Sequence, residues 1–352
     1  MPGSNPSDAP RRRRPTIDDV AARAGVSSAA VSFAMNGRPG VGEETRRRIL
    51  AAAAELGWRP SAHARALTEA RARAIGLLLA RPVEQLEIDP FFVRFLAGVE
   101  RTLARSDHAL VLRVLDSAEP VDLDAYARLA ASGRVDGFLL CDVELDDPRF
   151  ELIDLPAVVA GHPVSPCPFP WLETEHARGA AAAVEHLLEL GHRQIGFCGS
   201  SERFEHVQAR MHAWREALES AGLEPGPVAF GDPAALFDDG VTAIVFTSDL
   251  LAAAGLGAAR GRGIAVPGEL SIVGFDDSPL AALASPPLTS VRVDYAEFGE
   301  AAAAALLAAI AGGAPPPFRG APPELVVRGS TTGCPTGHHS IRNGPLGGAP
   351  TS

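Results

Sequence analysis

The chain contains no lysine: all 32 basic residues among its 352 are arginine. Chemistry that needs a lysine amine, whether a Schiff base or the lysine of a phosphate-binding loop, is therefore excluded. Cysteine is scarce. Cys141, Cys167, Cys198 and Cys334 lie far apart and form no CxxC pair, which fits a reducing compartment, although spacing alone excludes no disulfide. No run of ~18 apolar residues free of charge occurs, so no membrane span is expected. The N-terminal arginines are not followed by an apolar region, so no secretory signal is expected either. A soluble, cytoplasmic chain is expected. Enzyme motifs are missing too: there is no GxSxG, P-loop, HExxH, GxGxxG or Cys/His zinc spacing. No catalytic site, cofactor or metal is expected, and the tail pair His338 and His339 reads as solvated.

What is present supports folded domains. The 46% hydrophobic and 21% charged content rules out wholesale disorder, and roughly 150 residues per domain predicts two to three domains. The net charge of −11 is uneven: residues 1–74 hold 13 arginines against 7 acids, a net +6, and the remainder carries −17. A basic head on an acidic body points to a polyanion met by the head alone.

Residues 1–15 are rich in Pro, Ser and Arg and read as a disordered basic arm. Over 16–59 apolar residues recur at helical spacing, with turn signals at Gly25, 37–42 and 57–60, which predicts a small all-α bundle. Residues 60–73 form a linker. Thr16 can cap a helix over 17–24, Gly25 supplies a left-handed turn, and Ser27 can cap a second helix over 28–36. Val20, Val26 and Val31 face inward, and Ala21 is small where the two helices cross. Helix, short turn, helix is the motif that lays its second helix in a DNA major groove. A plain helical hairpin is the alternative, and the basic charge favours DNA.

From residue 74 the pattern changes to short apolar runs at 74–80, 109–115, 135–141, 157–161, 195–199, 228–230, 241–246, 270–275 and 290–293. Helical stretches near 91–106, 122–132, 177–190, 207–221, 250–261 and 296–311 lie between them. The alternation predicts an α/β body with parallel sheets over 74–332. Four strands before about 161 and four more before about 277 suggest two lobes with a cleft. The tail 333–352 has no apolar period and reads as disordered; without a leucine heptad it builds no tetramer.

The run TIDDVAARAGVSSAAVSFAMNGRPGVGEETRRRILAAAAELGWRPSAHARAL resembles the DNA-binding head of the lactose-repressor/galactose-repressor (LacI/GalR) family without gaps. The likeness continues through DPFF (89–92), RVDGFLL (134–140), ELGHRQIGF (189–197), VPGELSIVGFDD (266–277), SPPLTSVR (285–292) and PELVVRGST (323–331). It implies an all-α helix-turn-helix head, a hinge helix, and a two-lobed α/β sensor like type I periplasmic binding proteins. Lobe one would be 75–161 plus 292–320, and lobe two 162–291 plus 321–332. The implied function is a homodimeric, sequence-specific transcriptional regulator, a repressor rather than an activator. It would bind a near-palindromic double-stranded operator and answer to a small-molecule effector, a sugar by expectation, held between the lobes.

Residue by residue, the resemblance places Ser28, Ala29 and Phe33 at base-reading positions, with Ser27, Ser32 and Asn36 beside them. Thr16, Gly42 and Arg46 suit phosphate contact. Ser61, Arg65 and Leu67 fall in the hinge helix, with Leu67 as the apolar wedge into a base step; a plain linker is the alternative. Phe33 departs from the family's usual polar residue, and either touches a thymine methyl or packs against the first helix.

In the body, Arg210 and Asp276 match the family's ligand clamp, a donating fork and an accepting carboxylate suited to polyols. Phe91 and Phe92 would form an apolar platform, or else belong to the core. Ser248 and Asp249 stand at the family's Asn-Asp step, and Phe204 and His206 at variable specificity positions. Asp276 or Asp277 could instead cap a turn, and His206 could be a surface histidine. The stretch GDPAALFDDGVTAIVF is contracted where the family carries another helix and often a pocket aromatic, and Pro233 stands near that place. The rival readings are a sugar-binding module with no DNA role, a regulator answering to a purine-like effector stacked on Phe91 and Phe92, and an α/β enzyme.

Overall fold

The structure, a computed structural model, describes residues 15–35, 38–58, 71–79, 90–115, 122–163 and 165–335. The chain divides into two compact units, Met1–Arg71 and Ala72–Ser352. Asn36, Ser61, Arg65 and Leu67, most of the basic arm and the tail from 336 lie outside the described residues.

In the first unit, α1 (Ile17–Ala24), α2 (Ser28–Met35) and α3 (Glu43–Leu56) form a three-helix head. Thr16 starts α1 with a reciprocal cap: its hydroxyl accepts from the Asp19 amide at 3.3 Å, and its own amide donates to the Asp19 carboxylate at 2.7 Å. Gly25 ends the helix at φ +67°, a conformation that favours glycine, and its amide returns to the Ala21 and Ala22 carbonyls. The Ser27 hydroxyl accepts from the Ala30 amide and opens α2. Val20, Ala21, Val31, Ala34, Ile49, Ala52 and Ala53 make the head's core, with Val26 partly buried against it.

The second unit holds two sheets. The first is built from β1 (Ala74–Leu79), α4 (Pro90–Arg105), β2 (Ala109–Val114), α5 (Leu123–Ala131), β3 (Gly137–Leu140), α6 (Arg149–Leu152), β4 (Ala157–Ala160) and β5 (Trp171–Leu172). Its strands run parallel in the order β2-β1-β3-β4-β5. The second follows with α7 (His176–Glu189), β6 (Ile195–Gly199), α8 (Glu205–Ser220), β7 (Val228–Phe230), a 3-10 helix over Pro233–Asp239, β8 (Ala243–Phe246), α9 (Asp249–Gly261), β9 (Ser271–Asp276), α10 (Pro279–Leu283) and β10 (Thr289–Arg292). The chain then returns to the first sheet with α11 (Tyr295–Ile310), which packs on α4, β3 and β4, and goes back to the second with β11 (Glu324–Val326). The second sheet has the order β11-β10-β9-β8-β6-β7 and is parallel except for β11 against β10.

Each sheet reverses its strand order once, at β1/β3 and at β6/β8, and such switch points open a crevice at the carboxyl ends of the strands. The α4–α11 contact needs two glycines: a Cβ on Gly98 would collide with the Ala296 carbonyl, and one on Gly299 with the Phe95 carbonyl. The backbones therefore approach closely at this crossing.

Several expectations change. The sheets have five and six strands, because β5 and β11 are two and three residues long. Since β5 pairs with β4, lobe one runs through Leu172, and the chain crosses to lobe two after it instead of at 161. The contracted stretch is a 3-10 helix that buries Pro233, Leu236 and Phe237, so its aromatic joins lobe two's core. Residues 333–335 are ordered, with the Cys334 amide on the Leu190 carbonyl at 2.8 Å.

Candidate functional site

The head presents one face of α2 outward. Ala29 and Phe33, one helical turn apart, are exposed, and Ser28 and Ser32 are half-buried beside them. Phe33 is 40% exposed and stands outside the head's buried core, with Gly40 beside its ring. The Ser28 hydroxyl donates to Asp18 at 2.6 Å, which ties the start of α2 to α1. Thr16 and Ser27 spend their hydroxyls on caps, Gly42 is the N-cap of α3, and Arg46 reaches the Arg38 carbonyl at 3.5 Å.

In the body, the strand ends gather Thr247 and Ser248 after β8, Phe204 after β6, and Asp276 at the end of β9. Arg210, on α8, is buried under these ends with its guanidinium 3.8 Å from the Phe275 ring centroid. One Nη donates to the Thr247 carbonyl; the other lies 3.0 Å from His176 Nδ1 and 3.4 Å from the Tyr295 hydroxyl. Tyr295 donates in turn to the Asp276 carboxylate at 2.7 Å. Arg210 and Asp276 are thereby joined through one phenol, and the buried Arg210 Nε has no partner. A donor fork, a hydroxyl and a carboxylate in one buried row suit a ligand dense in hydroxyl groups.

Asp276 and Asp277 both have positive φ, +103° and +45°, unfavourable for residues with a Cβ. Arg94, on α4 of lobe one, donates to the carbonyls of both at 3.5 and 3.2 Å, and Arg292 and Arg328 hold the Asp277 carboxylate. Burial pushes the Asp277 carboxyl up, but hydrogen bonds from Arg328 and Arg292 outweigh it and leave its pKa below the ordinary value.

The two aromatic candidates separate. Phe92 is 2% exposed in the core of lobe one, whereas Phe91 lies at the seam, its ring edge-on to Tyr295 at 4.8 Å. Ser248 caps α9, and Asp249, fully buried, binds the Ser278 amide and the Ser290 hydroxyl. Its side chain is committed to fastening α9 to the turn after β9. Burial raises its pKa, more than these bonds lower it. Phe204, buried before α8, stacks on His206 at 5.6 Å. Beside it, Arg203 lies over the Phe204 ring and pairs with Glu144 at 3.3 Å, and the Glu205 amide reaches the Val143 carbonyl. A small depression, partly open to solvent, lies there between Leu78, Tyr126, Asp142, Arg149, Arg203 and Phe204.

Sequence reasoning missed His176, Thr247, Phe275, Tyr295 and Arg94. Tyr295 lies three residues beyond the motif SPPLTSVR and Phe275 sits inside GFDD, so both were within reach of the motifs; His176 and Arg94 carry no spacing signal.

A three-helix head with an exposed recognition face, attached in sequence to a bilobal body with a polar cleft, defines a ligand-responsive DNA-binding protein. The model of bacterial regulatory proteins of the lacI family matches residues 16–61, and that of the periplasmic binding protein-like domain matches 184–331. The chain is 33% identical over 301 residues to the HTH-type transcriptional regulator CelR of Thermobifida fusca, covering 80% of this chain and 87% of that protein. It is 34% identical over 349 residues to the HTH-type transcriptional regulator reg1 of Streptomyces lividans, covering 91% and 97%. A solved structure of a transcriptional regulator CelR–cellobiose complex matches with a TM-score of 0.66 at 29% identity, covering 90% of this chain and 100% of that one. The chain belongs to the lacI family of bacterial regulatory proteins: it is a DNA-binding transcriptional regulator modulated by a small molecule. The relatives are regulators, not enzymes. Among the described residues, no helix is long and apolar enough to cross a membrane.

Proposed function

We propose that the chain is a homodimeric cytoplasmic repressor whose affinity for a near-palindromic operator changes when a carbohydrate enters the cleft. The observation that carries the effector class is the row Arg210, Tyr295, Asp276, which offers fixed donors and an acceptor to neighbouring hydroxyls, with Phe91 as an apolar wall. Ser28, Ala29 and Phe33 read the half-site, with Phe33 against a thymine methyl. Thr16, Gly42 and Arg46 meet phosphates, and Ser61, Arg65 and Leu67 form the hinge that widens the minor groove. Dimerisation is supported by exposed apolar side chains: Leu112 and Val114 on the edge strand β2, and Leu283, 82% exposed on α10. A two-fold dimer would match operator symmetry.

The test has two arms on the full-length chain. Selection from random DNA at two salt concentrations should return a palindromic consensus with a steep salt dependence; weak binding without a consensus would contradict the operator reading. Calorimetry with cellobiose, maltose, ribose and guanine should find a sugar that binds and alters affinity for the selected DNA. Binding of guanine alone would favour a purine effector instead. The Leu67→Ala variant should bind the selected DNA more weakly and bend it less, with sugar affinity unchanged.

A further inference from the structure

An arginine with four rotatable side-chain bonds is useful in a cleft only if its fork is held in one orientation. For Arg210 that support comes from the Phe275 ring beneath it, the Thr247 carbonyl at one Nη, and His176 and Tyr295 at the other. Tyr295 is shared with Asp276 at 2.7 Å, so the His176 contact at 3.0 Å is the tighter side-chain restraint on that nitrogen.

The chemistry of the pair fixes the tautomer. A guanidinium only donates, so His176 Nδ1 must be bare and accepting, and the ring proton then belongs on Nε2. Thr174 Oγ1 lies 2.9 Å from that Nε2 and 3.3 Å from Nδ1, against the flank of the ring. Thr174 stands on the crossover between β5 of lobe one and α7 of lobe two, so the imidazole bridges this crossover to the arginine.

We infer that His176 is a positioning residue that, as a neutral ring packed beside Thr174, accepts a hydrogen bond from Arg210 and aims its guanidinium into the cleft. The inference rests on the effector cleft proposed above.

The charged and titratable groups that face His176 are Arg210 and His206, both on α8; from β9 the Phe275 ring lies 6.0 Å away. Burial first, then these two neighbours, hold its pKa well below the ordinary 6.5. A protonated ring would turn a second N–H toward Arg210 and break the contact. Cleft affinity should therefore be level through neutral pH and fall only at acid pH, below the ordinary histidine range.

Two readouts on the full-length chain test this. With 15N-labelled histidine, the His176 resonance, assigned by its loss in His176→Asn, should show the Nε2–H tautomer and stay neutral where an ordinary histidine is protonated. In Arg210→Met it should titrate at a higher pH. An Nδ1–H tautomer, or the same titration in both proteins, overturns the pairing. In cellobiose calorimetry, His176→Leu should lose about 10- to 100-fold in affinity. His176→Asn, whose Oδ1 can accept the same bond, should stay close to wild type without the acid fall, at an unchanged melting temperature. Equal losses in the two variants would make His176 merely structural. If cellobiose does not bind the wild-type chain, that sugar is lost to the effector reading, and the resonance arm alone decides the role of His176.

Discussion

Arg149 is 2% exposed, and its partner Asp147 is equally enclosed. The guanidinium makes a forked contact with the Asp147 carboxylate and donates to the Tyr126 hydroxyl at 3.2 Å, the Cys141 carbonyl at 3.0 Å and the Asp142 carbonyl at 3.1 Å. One buried cation thus fixes the loop that leaves β3 and lines the cleft rim. Replacing it with Met would strand a carboxylate with no counter-charge, a change that costs about 3–5 kcal/mol at buried pairs. At roughly 2–4 °C per kcal/mol for a unit of this size, the melting temperature should fall by ~6–20 °C. The double variant Arg149→Met, Asp147→Leu removes the stranded charge and leaves unpaired the Cys141 and Asp142 carbonyls and the two amides, of Glu144 and of position 149, that donate to Asp147, so about 1–3 kcal/mol of the loss should remain. Differential scanning calorimetry of the full-length chain measures both. A single-variant loss below about 1 kcal/mol, or a double variant no more stable than the single one, would refute the account of a buried charge that needs its partner.

Two further outcomes follow from the packing. Gly98→Ala should destabilise the body by about 1–3 kcal/mol or more, because the new methyl meets the Ala296 carbonyl across the α4–α11 crossing and backbone must move; a melt identical to wild type would mean the helices have room to spare. His192 is fully buried between Thr242 and the Thr332 carbonyl, and burial lowers its pKa, as it does at His186. The folded state then binds fewer protons than the unfolded one below pH ~6.5, so stability should be level above that pH and decline beneath it. Melting temperatures from pH 8 to 5 test this, and His192→Gln should flatten the decline.

Much of the α/β body was legible because most of its strands are continuous apolar runs: the inner strand Ile195–Gly199 and the edge strand Val228–Phe230 appear as read. β5 and β11 were not, since two or three residues are too short to show a period, and they exist through their pairing with β4 and β10. Phe91 and Phe92 illustrate a second limit. Neighbours on a helix point about 100° apart, so one entered the core and the other the seam, and the pair of letters cannot say which. Asp249 shows a third. Its position in a familiar motif suggested a ligand contact, but its partners, Ser278 and Ser290, lie 29 and 41 residues away and become visible only once the sheet is assembled. Arg210 and Asp276 are joined through a tyrosine by the same kind of distant meeting.

The return of α11 to the first sheet has a consequence for synthesis. β1 to β5 are complete at Leu172, but the helix that covers Leu139, Val158 and their neighbours ends only at Ile310. At translation rates of about 5–20 residues per second, that sheet waits roughly 7–28 s for its last layer. The three-helix head needs no such delay, because its core closes within residues 17–58. A nascent chain can therefore carry a finished head while the apolar side chains of lobe one still lack their cover, making that interval the point at which the protein is most exposed to misassembly with its neighbours.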